Sequence, residues 1–152
     1  MKIATVLSAL AAALLAVPAA GQAAAPRLQF AKPRPPAPFS AAVRVDDILY
    51  LSGQIGTGAD GRLVQGDAAQ FRQTMDNIAA VLKAEGASMD DVFKCTVMLA
   101  DMTKWADFNK VYVTYFKPDR LPSRSAFGAA GLVNGALVEL ECWAFAPRSG
   151  RQ

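Results

Sequence analysis

Histidine is absent from this chain of 152 residues. Without it, neither a Ser-His nor a Cys-His nucleophilic pair can be assembled. Cysteine is scarce as well. Cys95 and Cys142 are the only two and form no C-x-x-C pair, so zinc lacks its usual ligand set and no metal site is expected. Charge of one sign is also in short supply. Sixteen basic and 13 acidic residues leave a formal charge of +3, evenly spread, which is too little to argue for a nucleic-acid partner. Long apolar runs are missing too. The longest, residues 3–18, is shorter than the ~20 residues that a membrane span needs, and no basic stop-transfer cluster follows it closely.

That apolar run follows Met1-Lys2 and leads into small residues, Ala19-Ala20-Gly21-Gln22-Ala23-Ala24-Ala25. A basic start, an apolar run and a small-residue end describe a secretory signal peptide over residues 1–25, with no stable membrane anchor after cleavage. The expected location is therefore periplasmic or secreted. Residues 26–38 contain Pro26, Pro33, Pro35, Pro36 and Pro38 and read as an extended arm without regular structure. Residues 39–147 make one domain of ordinary size, and residues 148–152 a tail. An oxidising compartment permits a disulfide. Two cysteines on separate strands say nothing of their distance, however, and the expectation is free, buried thiols.

Periodicity orders the domain. Residues 39–45 and 48–55 form a hairpin about Asp46-Asp47. A glycine-rich loop, residues 56–66, precedes a helix that Asp67 caps with Gln70 in capping-box position. Phe71, Met75, Ile78, Ala79 and Leu82 form its apolar stripe, and Gly86 ends it. Residues 91–99 are a strand with Phe93, Cys95, Val97 and Leu99 on one face. Thr103 caps a second helix with Trp105, Phe108, Tyr112, Tyr115 and Phe116 in its stripe, stopped by Pro118. Two closing strands, residues 123–129 and 136–145, are joined by a turn at Asn134-Gly135. The result is β-β-α-β-α-β-β, an α+β subunit with two helices covering one face of a single sheet. The last strand carries apolar residues on both faces, so the uncovered face needs a cover, for which a second copy of the chain is the economical candidate.

Gly56-Thr57-Gly58-Ala59-Asp60-Gly61 satisfies G-x-G-x-x-G, but no helix follows it to receive a pyrophosphate, so the nucleotide reading is rejected. More informative are polar residues that interrupt apolar segments. Arg124 opens a closing strand, where its planar fork could bind a carboxylate at two points or simply reach solvent. Glu139 and Glu141 share a strand face with Leu137, Trp143 and Phe145. A carboxylate there is costly to bury unless paired or used, so a binding site and an ion pair between subunits both remain open. Asn109 falls in the stripe of the second helix, facing a ligand or tolerated at a boundary. Ser52-Gly53-Gln54 interrupts the second strand, where glycine signals a bulge or a close approach.

Taken together, the segments resemble the RidA family (reactive intermediate deaminases, also called YjgF) over residues 39–145. The resemblance rests on Pro38-Phe39-Ser40, on Leu51-Ser52-Gly53-Gln54-Ile55, and on residues 91–102. It rests further on Asn109-Lys110-Val111-Tyr112 with Tyr115-Phe116, on Pro122-Ser123-Arg124-Ser125 and on residues 135–141. It implies a chorismate-mutase-like subunit of the bacillary type, three of which close into a barrel with helices outside and ligand clefts at subunit boundaries. It also implies hydrolysis of 2-imino acids or their enamine tautomers to 2-keto acids and ammonia. Arg124 would hold the substrate carboxylate and Glu139 would act on the attacking water. Phe39, Ser52, Gly53, Gln54, Asn109 and Ala126 would line the pocket. No metal or organic cofactor is needed, because a protonated imine is already electrophilic. Phe39 stands where tyrosine is common in active members, and Ala126 where cysteine is common. These two departures favour the alternative, a non-catalytic trimer in the cell envelope that binds a small carboxylate or acts as a chaperone. Ribonuclease activity, also associated with the family, finds little help in a chain without histidine or a basic stripe.

Overall fold

Alternation of apolar residues and a two-residue turn build the first hairpin. Strand β2 (Ala42–Val45) pairs antiparallel with β3 (Ile48–Leu51), and Asp46 takes the positive φ of 51° that so tight a turn requires. The computed structural model describes residues 27–33 and 35–147; the expected signal peptide, Pro26, Arg34 and the tail at 148–152 lie outside the described residues.

The proline-rich arm departs from expectation. Leu28–Ala31 is a strand, β1, paired antiparallel with β2. Counting prolines over the whole segment hides the proline-free stretch from Arg27 to Lys32, which keeps every N–H it needs. The Ala41 N–H donates to the Ala31 carbonyl at 2.8 Å and the Asp46 N–H to that of Arg27 at 3.1 Å, which fixes both ends.

Beyond β3 the chain breaks at Ser52-Gly53 and resumes as β4 (Gln54–Ile55), which pairs with β7 (Val138–Phe145). Helix α1 (Asp67–Ala84) follows the glycine-rich loop. Its N-cap is Gly66, without a side-chain cap; Asp67 is already helical, and Gln70 forms no capping box. Gln70 is instead buried. Its amide donates to the Val64 carbonyl and its Oε1 accepts from the Leu137 N–H, so it ties the loop to the start of β7.

Strand β5 (Val92–Leu99) runs antiparallel to β7 and parallel to β6 (Ser123–Gly128). A bulge between Val92 and Lys94 turns Phe93 away from Cys95, Val97 and Leu99. It is exposed against Trp143, with centroids 6.4 Å apart, so these four residues do not share one face as expected. Asp101, not Thr103, caps the next segment, accepting from the N–H and the hydroxyl of Thr103 at 2.8 and 2.7 Å. A single 3-10 turn leads into α2 (Trp105–Tyr112).

The sheet order is β1-β2-β3-β7-β5-β6, with β4 also on β7. The turn at Asn134-Gly135 is present, with φ of 57° and 75°, but β5 lies between the strands it connects. One face packs on both helices: Leu49, Leu51, Val97, Leu99, Val138 and Leu140 meet Phe71, Met75, Ile78, Leu82 and Phe108 in one core. Each of these buried side chains contributes about 1.5–3 kcal/mol relative to exposure. Arg44 is also buried on this side, donating to the Glu85 carbonyl at 2.8 Å and to the Ala146 carbonyl.

Cys95 and Cys142 are joined, and the expectation of free thiols fails. They are register partners on neighbouring antiparallel strands, with Cα atoms 4.1 Å apart, and both are fully buried. The opposite face of the sheet is open. Two apolar rows of register partners cross it, Leu28–Val45–Ile48–Phe145 and Phe30–Val43–Tyr50–Trp143. Phe30, Phe127 and Phe145 there are at least half exposed.

Candidate functional site

Register decides where Arg124 points. It pairs with Cys95 in the parallel ladder, and side chains of paired residues leave a sheet on the same side. Cys95 is core, so Arg124 faces the helices rather than the open face on which a shared site with Glu139 would need it. Its guanidinium carbon lies 4.3 Å from the Trp105 ring centroid and 4.4 Å from that of Tyr112. Nη1 is buried without a hydrogen-bond partner.

Asn109 falls between those two aromatic residues in sequence, one turn from each, so α2 presents Trp105, Asn109 and Tyr112 on one stripe. Asn109 Oδ1 and the Tyr112 hydroxyl are, like Arg124 Nη1, buried and unpartnered. Burial pushes the Tyr112 phenol up to about 12, against the downward pull of the nearby Arg124 cation. Three unsatisfied polar atoms on one wall are costly unless a bound molecule satisfies them. Ala126 lies two residues beyond Arg124 on the same face, half-buried against the core.

The remaining candidates gather elsewhere. Glu139 pairs with Ile55 on one side and Met98 on the other, alternating with core residues Val138 and Leu140, and so belongs to the open face. Its carboxylate lies against Gly53: a Cβ at that position would sit 2.0 Å from Glu139 Oε1, so only glycine admits it. The Ser52 hydroxyl donates to the Ser40 carbonyl at 2.6 Å and brings the 39–40 segment alongside, with Phe39 exposed. The Gln54 amide is turned back on the Ser52 and Gly53 carbonyls, at 3.1 and 3.0 Å, and braces this loop.

The candidate residues therefore fall into two separate groups. Arg124, Asn109 and Ala126 form one; Phe39, Ser52, Gly53, Gln54 and Glu139 form the other. Within one chain Arg124 and Glu139 are separated by two strand spacings, about 9.6 Å, by three residues along β5, about 10 Å, and by the thickness of the sheet. Two surface depressions of about 340 and 430 Å³ involve neither residue. Among the described residues no group of three or more Cys, Asp or Glu could hold a metal ion, and no helix is long and apolar enough to cross a membrane. Sequence reasoning missed Trp105 and Tyr112 as site residues, assigning both to the core stripe. Their spacing of seven about Asn109 was the available signal.

The profile of the family described as Endoribonuclease L-PSP matches residues 30–146. A mouse protein named 2-iminobutanoate/2-iminopropanoate deaminase is 42% identical over 106 residues, covering 68% of this chain and 78% of its own. The solved structure of YyfA from Yersinia pestis, described as a Rid family protein of unknown function, superposes with a TM-score of 0.74 at 36% identity. It covers 79% of this chain and all of the other. That of the YjgF gene product of E. coli gives 0.69 at 30% identity, over 75% and 92%.

Proposed function

The chain belongs to the RidA (YjgF) family, and from that premise we propose that it hydrolyses small 2-imino acids and their enamine tautomers to 2-keto acids and ammonia. The observation that carries the reading is Arg124 Nη1, a buried donor left unpaired against the helix whose Asn109 Oδ1 is equally unpaired. A ligand with a carboxylate for the first and an N–H for the second satisfies both, and a 2-imino acid has the two groups on adjacent carbons. The mouse relative's name identifies the same class of substrate.

Since one chain keeps its two half-sites on opposite faces, the working cleft takes Arg124 and Asn109 from one copy and Glu139, Gly53 and Phe39 from the next. A homotrimer closed as a barrel around the open faces supplies three such clefts and covers the two apolar rows. In the cleft, the Arg124 fork holds the carboxylate in plane and so orients the C=N carbon. The Glu139 carboxylate accepts a proton from water as the water oxygen bonds to that carbon and the C=N π pair moves to nitrogen. The proton passes to nitrogen to give a carbinolamine. The carboxylate then carries the remaining hydroxyl proton to nitrogen as the C–N bond breaks, so that ammonia leaves while the oxygen lone pair forms the new C=O. Water and imino acid become keto acid and ammonia, with no electrons exchanged. A signal peptide at residues 1–25 would deliver this activity to the periplasm or outside the cell.

A second reading is favoured by Phe39, which offers no hydroxyl to the cleft, and by Ala126, which offers no thiol: the same trimer binds a small carboxylate, or acts as a chaperone, without turnover. Decay of 2-iminobutanoate, generated by an amino-acid oxidase at limiting free amine, separates the two. Acceleration by the protein that is lost in Arg124→Ala supports hydrolysis. Saturable binding of 2-oxobutanoate without acceleration supports the binding protein and refutes the enzyme.

A further inference from the structure

Arg124 does not hold itself in place. It enters the helix side of an edge strand, and β6 has a neighbour on one side only. A long side chain there has several rotamers open to it unless something selects one. The residues that do so both belong to α2. Trp105 and Tyr112 are seven positions apart, two turns and about 10.5 Å along the axis. The guanidinium carbon lies 4.3 Å from one ring centroid and 4.4 Å from the other, so the group is inserted between them. Fully buried Phe108 braces both rings from behind, at 6.3 Å from Trp105 and 5.6 Å from Tyr112, and rests in turn on Phe71 at 5.5 Å. The cation thus lies over both ring faces, while Nη1 at its edge is unpaired.

We infer that Trp105 and Tyr112 are positioning residues for carboxylate recognition. Their rings clamp the Arg124 guanidinium in one plane, so that it meets a 2-imino or 2-keto acid edge-on with its geometry already set. This rests on the function proposed above and adds to it a residue pair and a mechanism of specificity. The clamp admits planar two-point acceptors and gives little to a single-point anion. Cation–π attraction holds the charge without using any N–H, which leaves the donors for the ligand. Preorganisation of this kind acts on binding of the carboxylate, whereas water activation lies with Glu139 on the other half-site.

The test is a double-mutant cycle in which KM and kcat are measured separately for 2-iminobutanoate. Trp105→Leu should raise KM about tenfold while kcat changes by less than about threefold, and Trp105→Phe should restore KM to within about threefold. With Arg124→Lys as background, Trp105→Leu should change KM by less than about twofold, since a point charge has no plane to fix. An unchanged KM in Trp105→Leu, or an equal change in both backgrounds, overturns the clamp. Should the wild type fail to turn the imine over, the Kd of 2-oxobutanoate replaces KM in the same cycle. The pattern then upholds the clamp while the proposed hydrolysis is refuted, and absence of binding overturns both. If Trp105→Leu does not fold, Trp143→Phe leaves Trp105 as the sole tryptophan. Its emission should shift saturably with 2-oxobutanoate, at a midpoint that Arg124→Lys weakens, and no shift overturns the proposal.

Discussion

If each cleft combines Arg124 of one copy with Glu139 of the next, two inactive variants should repair each other. Arg124→Ala removes the carboxylate anchor and costs about 2–5 kcal/mol, at least about a 30-fold loss. Glu139→Gln keeps the side-chain shape but removes the base, which is worth about 10²- to 10⁴-fold. Each pure variant should therefore retain no more than a few per cent of wild-type activity. When the two are unfolded together in equal amounts and reassembled, half of the arginine half-sites and half of the glutamate half-sites are intact. A cleft drawing on two chains finds both intact about one time in four, whatever the size of the ring. The mixture should regain about a quarter of wild-type activity, with native mass spectrometry confirming that the chains have mixed. A cleft contained in one chain regains nothing under the same treatment. Mixed oligomers that stay at the mean of the two parents would refute the assignment of the two residues to different copies, and with it the significance of their lying on opposite faces.

Three further outcomes follow from the described contacts. Gly53→Ala places a methyl group 2.0 Å from Glu139 Oε1 and displaces that carboxylate. Activity should fall about 100-fold with little change in the melting temperature, because the displaced group is the end of a flexible side chain; calorimetry and turnover on the same sample check this. Reducing the Cys95–Cys142 link, which spans 47 residues, should cost about 4 kcal/mol by the chain-entropy relation. Denaturation with and without reductant measures the loss, and equal midpoints would contradict it. The raised Tyr112 phenol makes the folded state bind its proton more tightly than the unfolded chain, whose tyrosine titrates near 10. That contribution is complete below pH 10 and is lost as pH rises toward about 12. Stability should fall across this window in the wild type, and Tyr112→Phe should fall less steeply. Parallel curves for the two would remove the buried phenol from the account.

Much of the architecture was legible because it follows from local rules. The stripe of Phe71, Met75, Ile78 and Leu82 has a period that only a helix satisfies, and all four are fully buried. Alternation along residues 138–145 separated Glu139 and Glu141 from Leu140 and Cys142, and the structure keeps that separation. The interruption at Gly53 signalled either a bulge or a close approach, and the structure shows the latter, with the Glu139 carboxylate as the approaching group. Where expectation failed, a non-local contact competed with a local signal. Gln70 had the spacing of a capping box, yet the Leu137 N–H and the Val64 carbonyl claimed its amide. Residues 28–31 sit among prolines, yet β2 offered them an edge to pair with. Trp105 and Tyr112 had the spacing of core residues, and part of their surface is core; the other part holds an arginine from a strand that follows them in the chain.

The order of residues alone determined the long helix α1, the alternation of sides along β7, and a repertoire of side chains without histidine. Those properties depend on neighbours a few positions away. The tertiary structure decided that β7 lies between β3 and β5, that Cys95 meets Cys142, and that Arg124 and Glu139 project from opposite faces of one sheet. Alternation tells which residues share a side, but not which side the helices will cover. That is settled only when distant strands pair and α1 and α2 dock on one face, burying the larger apolar set and leaving the other exposed.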